Sequence, residues 1–107
     1  MHMRGLSVRL SLSIHQLHSI LVYLKVPEDL YDFSAGYFGT NCYSMEWTAQ
    51  GWEVFFAVNG EKCDVAVFDS ETDACLDLLY KVMIAKHLAQ QQQIGYNKSK
   101  YLEQQER

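Results

Sequence analysis

The sequence predicts a two-layer α+β fold in which helices cover one face of a three-stranded antiparallel meander. Apolar residues recur at helical spacing near the N-terminus and again after residue 70. Three strand-like segments, separated by short turns, lie between them. The order of elements is therefore α-β-β-β-α, which segregates the helices to one layer and the strands to the other.

The length and composition fit one globular domain. The chain has 107 residues, of which 49% are hydrophobic and 21% are charged, with a formal net charge of −4. A chain of this length buries roughly 65% of its extended surface, so it can hold a core without metal or disulfide staples. We expect a single α+β domain over residues 1–92 and, over 93–107, a polar C-terminal tail or short extra helix.

The first helix is predicted over residues 14–25. Ser13 is a suitable N-cap, apolar residues follow at helical spacing, and Pro27 stops the helix. The alternation of Leu and Val over residues 6–12 is also typical of a strand, so a short N-terminal strand is an alternative. Residues 27–41 combine glycine, aromatic and acidic residues in a loop, and loops of this length are usually functional.

Three strands are predicted over residues 42–48, 52–58 and 61–68. Asn59-Gly60 between the last two is a strong hairpin pattern, because a type I′ turn needs positive φ at both central positions. A two-residue loop also fixes the register of the hairpin. The expected pairs are Val58 with Glu61, Phe56 with Cys63, Val54 with Val65, and Trp52 with Val67.

This register gives the sheet an apolar face and an acidic face. The apolar face carries Trp52, Val54, Phe56, Val58, Cys63, Val65 and Val67, together with Tyr43, Met45 and Trp47 of the first strand. The second face places Glu46 beside Glu53, with Phe55 and Asp64 nearby and only Lys62 to offset the acids. We expect this second face to bind a partner; an ordinary solvated sheet face is the alternative.

A second helix begins after Ser70 and covers the sheet. Ser70 and Asp73 resemble a capping box, and acidic residues suit the positive end of a helix. The helix is predicted to extend to about Gln91. Its apolar stripe consists of Ala74, Cys75, Leu78, Leu79, Val82 and Met83.

The charge is distributed very unevenly along the chain. Between Glu28 and Asp77 eleven acidic residues face a single Lys, which gives −10, while the remainder of the chain carries +6. Ten of the fourteen aromatic residues lie in the same window. Aromatic residues interleaved with negative charge disfavour direct nucleic-acid binding and favour a basic protein partner.

The cysteines and the apolar segments predict a cytoplasmic protein. Cys42, Cys63 and Cys75 form no C-x-x-C motif and are odd in number, which indicates free thiols in a reducing compartment. The N-terminus lacks the pattern of a secretion signal. Ile20–Leu24, the longest helix-type apolar run, is far short of the ~20 residues of a membrane span, so no membrane partner is expected.

No pattern specific to catalysis or metal binding is present in the sequence. His15 and His18 could hold a metal only with a third ligand such as His87 or Cys75, and solvated or hydrogen-bonded histidines are the better interpretation. Paired carboxylates are abundant, but their abundance makes chance pairs common. We therefore expect no catalytic residues, no metal and no cofactor.

Residues Ser13 to Met83, about two thirds of the chain, resemble small bacterial immunity proteins of polymorphic-toxin and contact-dependent growth-inhibition systems. The likeness begins in the first predicted helix, continues through the predicted strands and the turns between them, and ends in the second predicted helix. It is carried by Leu24-Lys25-Val26-Pro27-Glu28-Asp29-Leu30-Tyr31, Gly36-Tyr37, Cys42-Tyr43, Glu46, Gly51-Trp52-Glu53-Val54-Phe55-Phe56, Gly60, Phe68-Asp69-Ser70-Glu71 and Ala74-Cys75-Leu76.

The resemblance implies a noncatalytic protein that binds the C-terminal domain of one cognate toxin and blocks its active site. Because nucleases carry basic clefts, the acidic window favours a nuclease toxin. A regulatory or adaptor domain outside toxin biology is the first alternative, and a small enzyme using paired carboxylates or Cys42 is the second. The predicted contact residues are Glu28, Asp29, Tyr31, Asp32, Tyr37, Phe38, Glu46, Glu53, Phe55 and Asp64.

Overall fold

The fold is a three-stranded antiparallel sheet with two α-helices packed on one face, as predicted. The computed structural model describes residues 11–34 and 40–105, with side chains described up to residue 92. The elements are α1 (Ile14–Tyr23), a 3-10 helix (Glu28–Leu30), β1 (Cys42–Thr48), β2 (Gly51–Val58), β3 (Glu61–Phe68) and α2 (Glu71–Gln105). The alternative of an N-terminal strand concerns residues that lie mostly outside this described part.

Helix α1 begins at the predicted cap. The Ser13 hydroxyl accepts a hydrogen bond from the Gln16 backbone N–H, and the Gln16 side chain accepts one from the Ser13 N–H. This reciprocal capping box satisfies donors that the first turn would leave unpaired. Leu17 and Leu21, one turn apart, are fully buried and anchor the helix to the sheet and to α2.

Helix α1 ends before residue 25, and its backbone conformation, instead of the predicted effect of Pro27, explains where it ends. Lys25 has a φ of 57°, and its N–H donates to the carbonyl of Val22. The N–H of Val26 donates to the carbonyl of Leu21, which completes a Schellman-type ending. The helix therefore stops at Tyr23 instead of residue 25.

The turn between β2 and β3 has the predicted conformation. Asn59 and Gly60 have φ values of 51° and 79°, as a type I′ turn requires. Next to the turn, the pairs Val58 with Glu61 and Phe56 with Cys63 are confirmed. The pairing of β1 with β2 also places Glu46 directly opposite Glu53, as expected.

Further along the hairpin the predicted register is wrong, because a β-bulge interrupts β3. The register shifts between Val54 and Phe56 of β2, and Asp64 on the opposite strand has a φ of 52°. One extra residue of β3 therefore lies opposite β2. The observed pairs beyond the bulge are Val54 with Ala66, Glu53 with Val67, and Trp52 with Phe68.

Beyond the bulge, each residue of β3 lies on the face of the sheet opposite to the predicted one. Phe68 packs against the helix-covered core, and Ala66 shares that side of the sheet. Val65 and Val67, which the sequence pattern assigned to the core, are 45% and 50% exposed. The face opposite the helices therefore carries Val65 and Val67 along β3 in place of the expected Ala66 and Phe68.

The main core lies between the sheet and the two helices. Its buried members come from α1, from the segment after it, from the two strands β1 and β2, and from α2: Leu17, Leu21, Val26, Tyr31, Met45, Val54, Ala74, Cys75, Leu78 and Val82. A second, smaller cluster of Cys42, Phe55 and Ala57 lies on the opposite face of the sheet. Both faces of β2 are therefore buried.

Helix α2 is longer than predicted. It is one continuous helix of 35 residues, about 50 Å at 1.5 Å per residue, so residues 93–105 extend α2 instead of forming a separate tail or helix. At its start the Asp73 N–H donates to the Ser70 hydroxyl over 3.1 Å, as the predicted cap requires. Gly95 lies inside the helix, and a single interior glycine costs only about 1 kcal/mol.

The three cysteines are free, as predicted. Cys42 and Cys75 are buried and Cys63 is partly buried. Burial, with a smaller contribution from Glu71, raises the pKa of the Cys75 thiol to about 11. This thiol is therefore protonated at neutral pH and packs as a small apolar group. Within residues 11–34 and 40–105, no helix has both the length and the apolar character needed to cross a membrane.

Candidate functional site

The acidic segment after α1 is held against the edge of β1. Tyr31 forms an isolated parallel bridge with Tyr43, and the Asp32 N–H donates to the Tyr43 carbonyl over 3.0 Å. The 3-10 helix before it is closed by a hydrogen bond from the Leu30 N–H to the Pro27 carbonyl. These backbone bonds fix residues 28–34 between α1 and the sheet.

A cleft of about 500 Å³ lies between α1 and this segment. Its lining comes from the first two turns of α1 and from residues 28–34: Ile14, His15, His18, Glu28, Tyr31, Asp32, Phe33 and Ser34. We call it the α1 cleft. Three of the predicted contact residues, Glu28, Tyr31 and Asp32, line it, and Asp29 is exposed on the adjoining 3-10 helix.

Three rings pack together in the wall of the α1 cleft. The His18 ring contacts the rings of Tyr31 and Phe33 edge-on, at centroid distances of 5.9 and 6.2 Å. Tyr31 and Phe33 lie 5.4 Å apart at an interplanar angle of 34°. Edge contacts of this kind hold the rings in defined orientations.

The Tyr31 hydroxyl is an unsatisfied polar group in this wall. The residue is 7% exposed, and its hydroxyl finds no hydrogen-bond partner in the described part of the chain. Burial, reinforced by the nearby Glu28 carboxylate, raises the pKa of the phenol, so the hydroxyl keeps its proton at neutral pH. An unpaired buried hydroxyl costs about 1–3 kcal/mol, and a ligand that pairs with it would recover part of that cost.

The Asp32 carboxylate is oriented by the backbone. Its Oδ1 accepts a hydrogen bond of 2.9 Å from the Ser34 N–H, which is an Asx turn. This bond fixes the orientation of the Asp32 carboxylate relative to the backbone of residues 32–34. Glu28 and Asp29, both exposed, lie in the first turn of the 3-10 helix and add to the negative charge around the cleft.

The predicted acidic sheet face contains a lysine that pairs with its two glutamates. Glu46 and Glu53 lie opposite each other on β1 and β2, and the Lys62 ammonium forms ion pairs with both. Its distance to Glu53 Oε1 is 2.7 Å, and it lies 4.9 Å from the centroid of the Phe55 ring. We call Glu46, Glu53, Phe55 and Lys62 the Lys62 cluster.

The charges of the Lys62 cluster stabilise one another. The hydrogen bond from Lys62 lowers the pKa of Glu53; partial burial opposes this, and a hydrogen bond from the Thr48 hydroxyl adds to it. Partial burial lowers the pKa of Lys62, but the hydrogen bonds and charges of the two glutamates outweigh it, and the net pKa is raised. Glu53 and Lys62 are therefore held in their charged forms.

The expectation that Phe55 is exposed to a partner is wrong. Phe55 lies on the predicted face, but it is 0% exposed and packs in the small cluster with Cys42 and Ala57. Asp64 is exposed, in the bulge of β3. Tyr37 and Phe38 lie outside the described residues.

The structure thus divides the predicted contact residues between the α1 cleft and the sheet face. The sequence pattern did not assign His15 or His18 to a partner site, although both line the cleft. The spacing of the two histidines is visible in the sequence and indicates a shared helix face. Among the described residues, no group of three or more His, Cys, Asp or Glu side chains is arranged to hold a metal ion.

Rings, carboxylates and a protonated phenol that has no partner among the described residues form an environment suited to a cationic group. Comparisons with protein-family models, with curated proteins and with solved structures find no match to this chain. The geometry of the α1 cleft and the resemblance to immunity proteins are therefore the features that bear on function.

Proposed function

We propose that this chain is a noncatalytic inhibitor that binds a basic toxin domain, in the manner of a small bacterial immunity protein, and blocks the toxin's active site. The α1 cleft is the centre of the proposed contact surface. Its acids are Glu28 and Asp32, and the exposed Asp29 adjoins it. The exposed sheet-face residue Asp64 is a further predicted contact.

One observation carries this proposal. The Tyr31 hydroxyl is buried without a described partner in the wall of a cleft that also contains two carboxylates. Buried polar groups are nearly always hydrogen-bonded, and exceptions call for a specific explanation. A site completed by a partner protein supplies that explanation.

The charge of the molecule favours a partner that ordinarily binds nucleic acid. Carboxylates can occupy the positions that phosphates take in a nuclease cleft, and they raise the association rate with a basic protein. The −10 charge between Glu28 and Asp77 is large for a window of this size. A nuclease domain is therefore the proposed toxin.

Copurification with the toxin-like domain encoded by the adjacent reading frame tests the proposal. We expect a one-to-one complex, loss of the toxin's activity in the complex, and an association rate that falls as salt is raised. A suitable control is an unrelated basic protein of similar size, which should not bind. Failure of the adjacent domain to bind at low salt would contradict the proposal.

A further inference from the structure

We propose that the outer face of α2 is an interface at which two copies of this chain pack with their α2 helices antiparallel. Four exposed apolar residues form this face, which we call the outer stripe: Leu76, Tyr80, Ile84 and Leu88. The interface goes beyond the proposed function and does not depend on it, because no residue that lines the α1 cleft belongs to the outer stripe.

Helix α2 is apolar on two opposite sides. Ala74, Leu78 and Val82, spaced four positions apart, are fully buried in the core between the sheet and the helices. The first three members of the outer stripe follow these residues by two positions, which is about 200° around an α-helix. The outer stripe therefore lies on the side of α2 away from the sheet, where its side chains are 38–67% exposed. A helix that only covers a sheet needs a single apolar side.

The outer stripe is a continuous row along the helix. Residues four positions apart are neighbours on a helix surface, so each member of the stripe adjoins the next. From residue 76 to residue 88 the row is about 18 Å long, at 1.5 Å per residue. Single exposed apolar residues are ordinary on a protein surface, but a contiguous row of large ones indicates an interaction site.

The outer stripe is complementary to itself when two copies pack antiparallel. With the two-fold axis over residue 82, Leu76 of one copy lies opposite Leu88 of the other, and Tyr80 lies opposite Ile84. Every member of the stripe then meets an apolar residue, as a symmetric interface between identical copies requires. Rows of residues four positions apart also interdigitate in the commonest class of helix packing.

The charges along α2 favour the antiparallel orientation. Where its side chains are described, acids occur only in its first two turns and bases only after them: Glu71, Asp73 and Asp77, then Lys81, Lys86 and His87. An antiparallel partner brings the acidic start of each helix alongside the basic part of the other, whereas a parallel partner places like charges together. In the register given above, Asp77 of one copy lies opposite His87 of the other.

The same charges favour a second copy over the basic toxin as the occupant of the outer stripe. A basic surface would be attracted to the first turns of α2 and repelled by the part that begins at Lys81. A second copy carries both signs in the complementary order. A row about 18 Å long on a helix about 10 Å wide offers less contact than the roughly 800 Å² per partner of a standard interface. We therefore expect a weak dimer, with a Kd on the order of 10–100 µM.

The test is sedimentation velocity of the full chain from about 2 to about 400 µM, a range over which mass action should populate the dimer. We expect the average mass to rise from 12.4 kDa towards twice that value. Tyr80→Glu places a charge in the middle of the outer stripe and should weaken the dimer at least about tenfold. Tyr23→Glu makes the same change at an exposed position at the end of α1 and should leave the Kd unchanged.

Mixtures of variants test the antiparallel register. Ile84→Lys alone should weaken the dimer as Tyr80→Glu does. Mixing these two variants should restore association, because the register brings position 80 of one copy opposite position 84 of the other. Mixing Tyr80→Glu with Tyr80→Lys should not restore it, because each charge then lies opposite Ile84. Far-UV circular dichroism of each variant establishes that it is folded.

A chain that stays monomeric up to about 400 µM would overturn the inference. Equal weakening by Tyr80→Glu and Tyr23→Glu would do the same, because it would reduce the effect to net charge. Restored association in the mixture of the two Tyr80 variants, without restoration in the mixture of Tyr80→Glu and Ile84→Lys, would show a parallel arrangement and so contradict the antiparallel interface.

Discussion

The α1 cleft and the Lys62 cluster are built from the same kinds of residue, yet they differ in how completely they are satisfied. Each combines aromatic rings with two carboxylates. In the Lys62 cluster an internal ammonium pairs with both acids, and the ring beneath it is fully buried. In the α1 cleft a buried hydroxyl lacks a described partner, and Glu28 is exposed.

The charges of the Lys62 cluster therefore contribute to folding, whereas the exposed Glu28 of the α1 cleft can contact a partner. Both regions contribute to the −10 window, so composition alone treats them as equal. A carboxylate paired internally must lose its partner before it can bind another protein, and that loss is unfavourable. We therefore expect stability to depend on the Lys62 cluster and partner affinity to depend on the α1 cleft.

The largest difference should follow from truncating an aromatic ring in each region. Phe55→Ala removes a fully buried ring from the sheet and should lower the free energy of unfolding by about 3–5 kcal/mol. Phe33→Ala, at a partly exposed position in the α1 cleft, should cost roughly 1 kcal/mol. Urea denaturation measures both. A cost below about 1 kcal/mol for Phe55→Ala would show that its burial contributes little.

Removal of the internal cation should have the next largest effect. Lys62→Met removes the cation that pairs with the adjacent Glu46 and Glu53, and the Glu53 side chain is only 12% exposed. Because solvent still reaches the site, we expect a loss of about 2 kcal/mol instead of the larger cost of a fully buried pair.

Lys81→Met is the matched control for this substitution. Lys81 forms a partly buried i,i+4 ion pair with a single acid, Asp77, on α2, and its loss should cost about 0.5–1 kcal/mol, less than the loss of Lys62. Equal losses in the two variants would contradict the special role of Lys62.

The ion pairs of the Lys62 cluster should also affect how the free energy of unfolding depends on pH. The folded-state pKa of Glu53 lies below its ordinary value of 4.5, so its contribution is complete above that value and is lost as pH falls through the folded-state pKa. The pKa of Lys62 is raised above its ordinary 10.5, so its contribution persists below that value and is lost only in strong base.

Unfolding free energies measured from about pH 6 to about pH 3 should therefore decline less steeply for Lys62→Met than for the unsubstituted chain. The comparison with the unsubstituted chain cancels the titration of the other carboxylates. Parallel curves for the two proteins would mean that Lys62 does not hold Glu53 in its charged form.

The smallest effect on stability is expected in the α1 cleft. Tyr31→Phe deletes a hydroxyl that has no described partner, so the free energy of unfolding should change by less than about 1 kcal/mol or rise slightly. Tyr80→Phe, at an exposed position on α2, is the control and should be neutral. A clear loss of stability in Tyr31→Phe would reveal an internal partner for this hydroxyl.

Local sequence patterns predicted the elements of this fold because their causes are local. The Ser13 and Ser70 caps depend on neighbours within one turn, and the Asn59-Gly60 turn needs only its own two backbone conformations. The alternation of side chains also placed Glu46 beside Glu53 correctly. Each of these features requires no knowledge of the rest of the chain.

Two predictions, the register of β3 and the end of α1, were wrong because one residue in each place has a backbone conformation that is unusual for its type. Positive φ at Asp64 accompanies the bulge that shifts the register of β3, and positive φ at Lys25 ends α1 early. Lys rarely adopts that conformation and Asp does so in only a minority of cases, so the residue type does not predict it at either position. The α1 cleft was missed for another reason, since it depends on the bridge between Tyr31 and Tyr43, which no local pattern specifies.

Two charge-matched double variants distinguish the acids of the α1 cleft from the rest of the acidic window as the determinants of partner affinity. Glu28→Gln with Asp32→Asn neutralises the cleft; Glu61→Gln with Asp69→Asn removes the same charge from exposed positions elsewhere in the acidic window. The measurement is the Kd of the complex with the adjacent-frame toxin domain. We predict a loss of at least about tenfold for the cleft variant and less than about threefold for the control. Equal losses, or a larger loss in the control, would contradict the account.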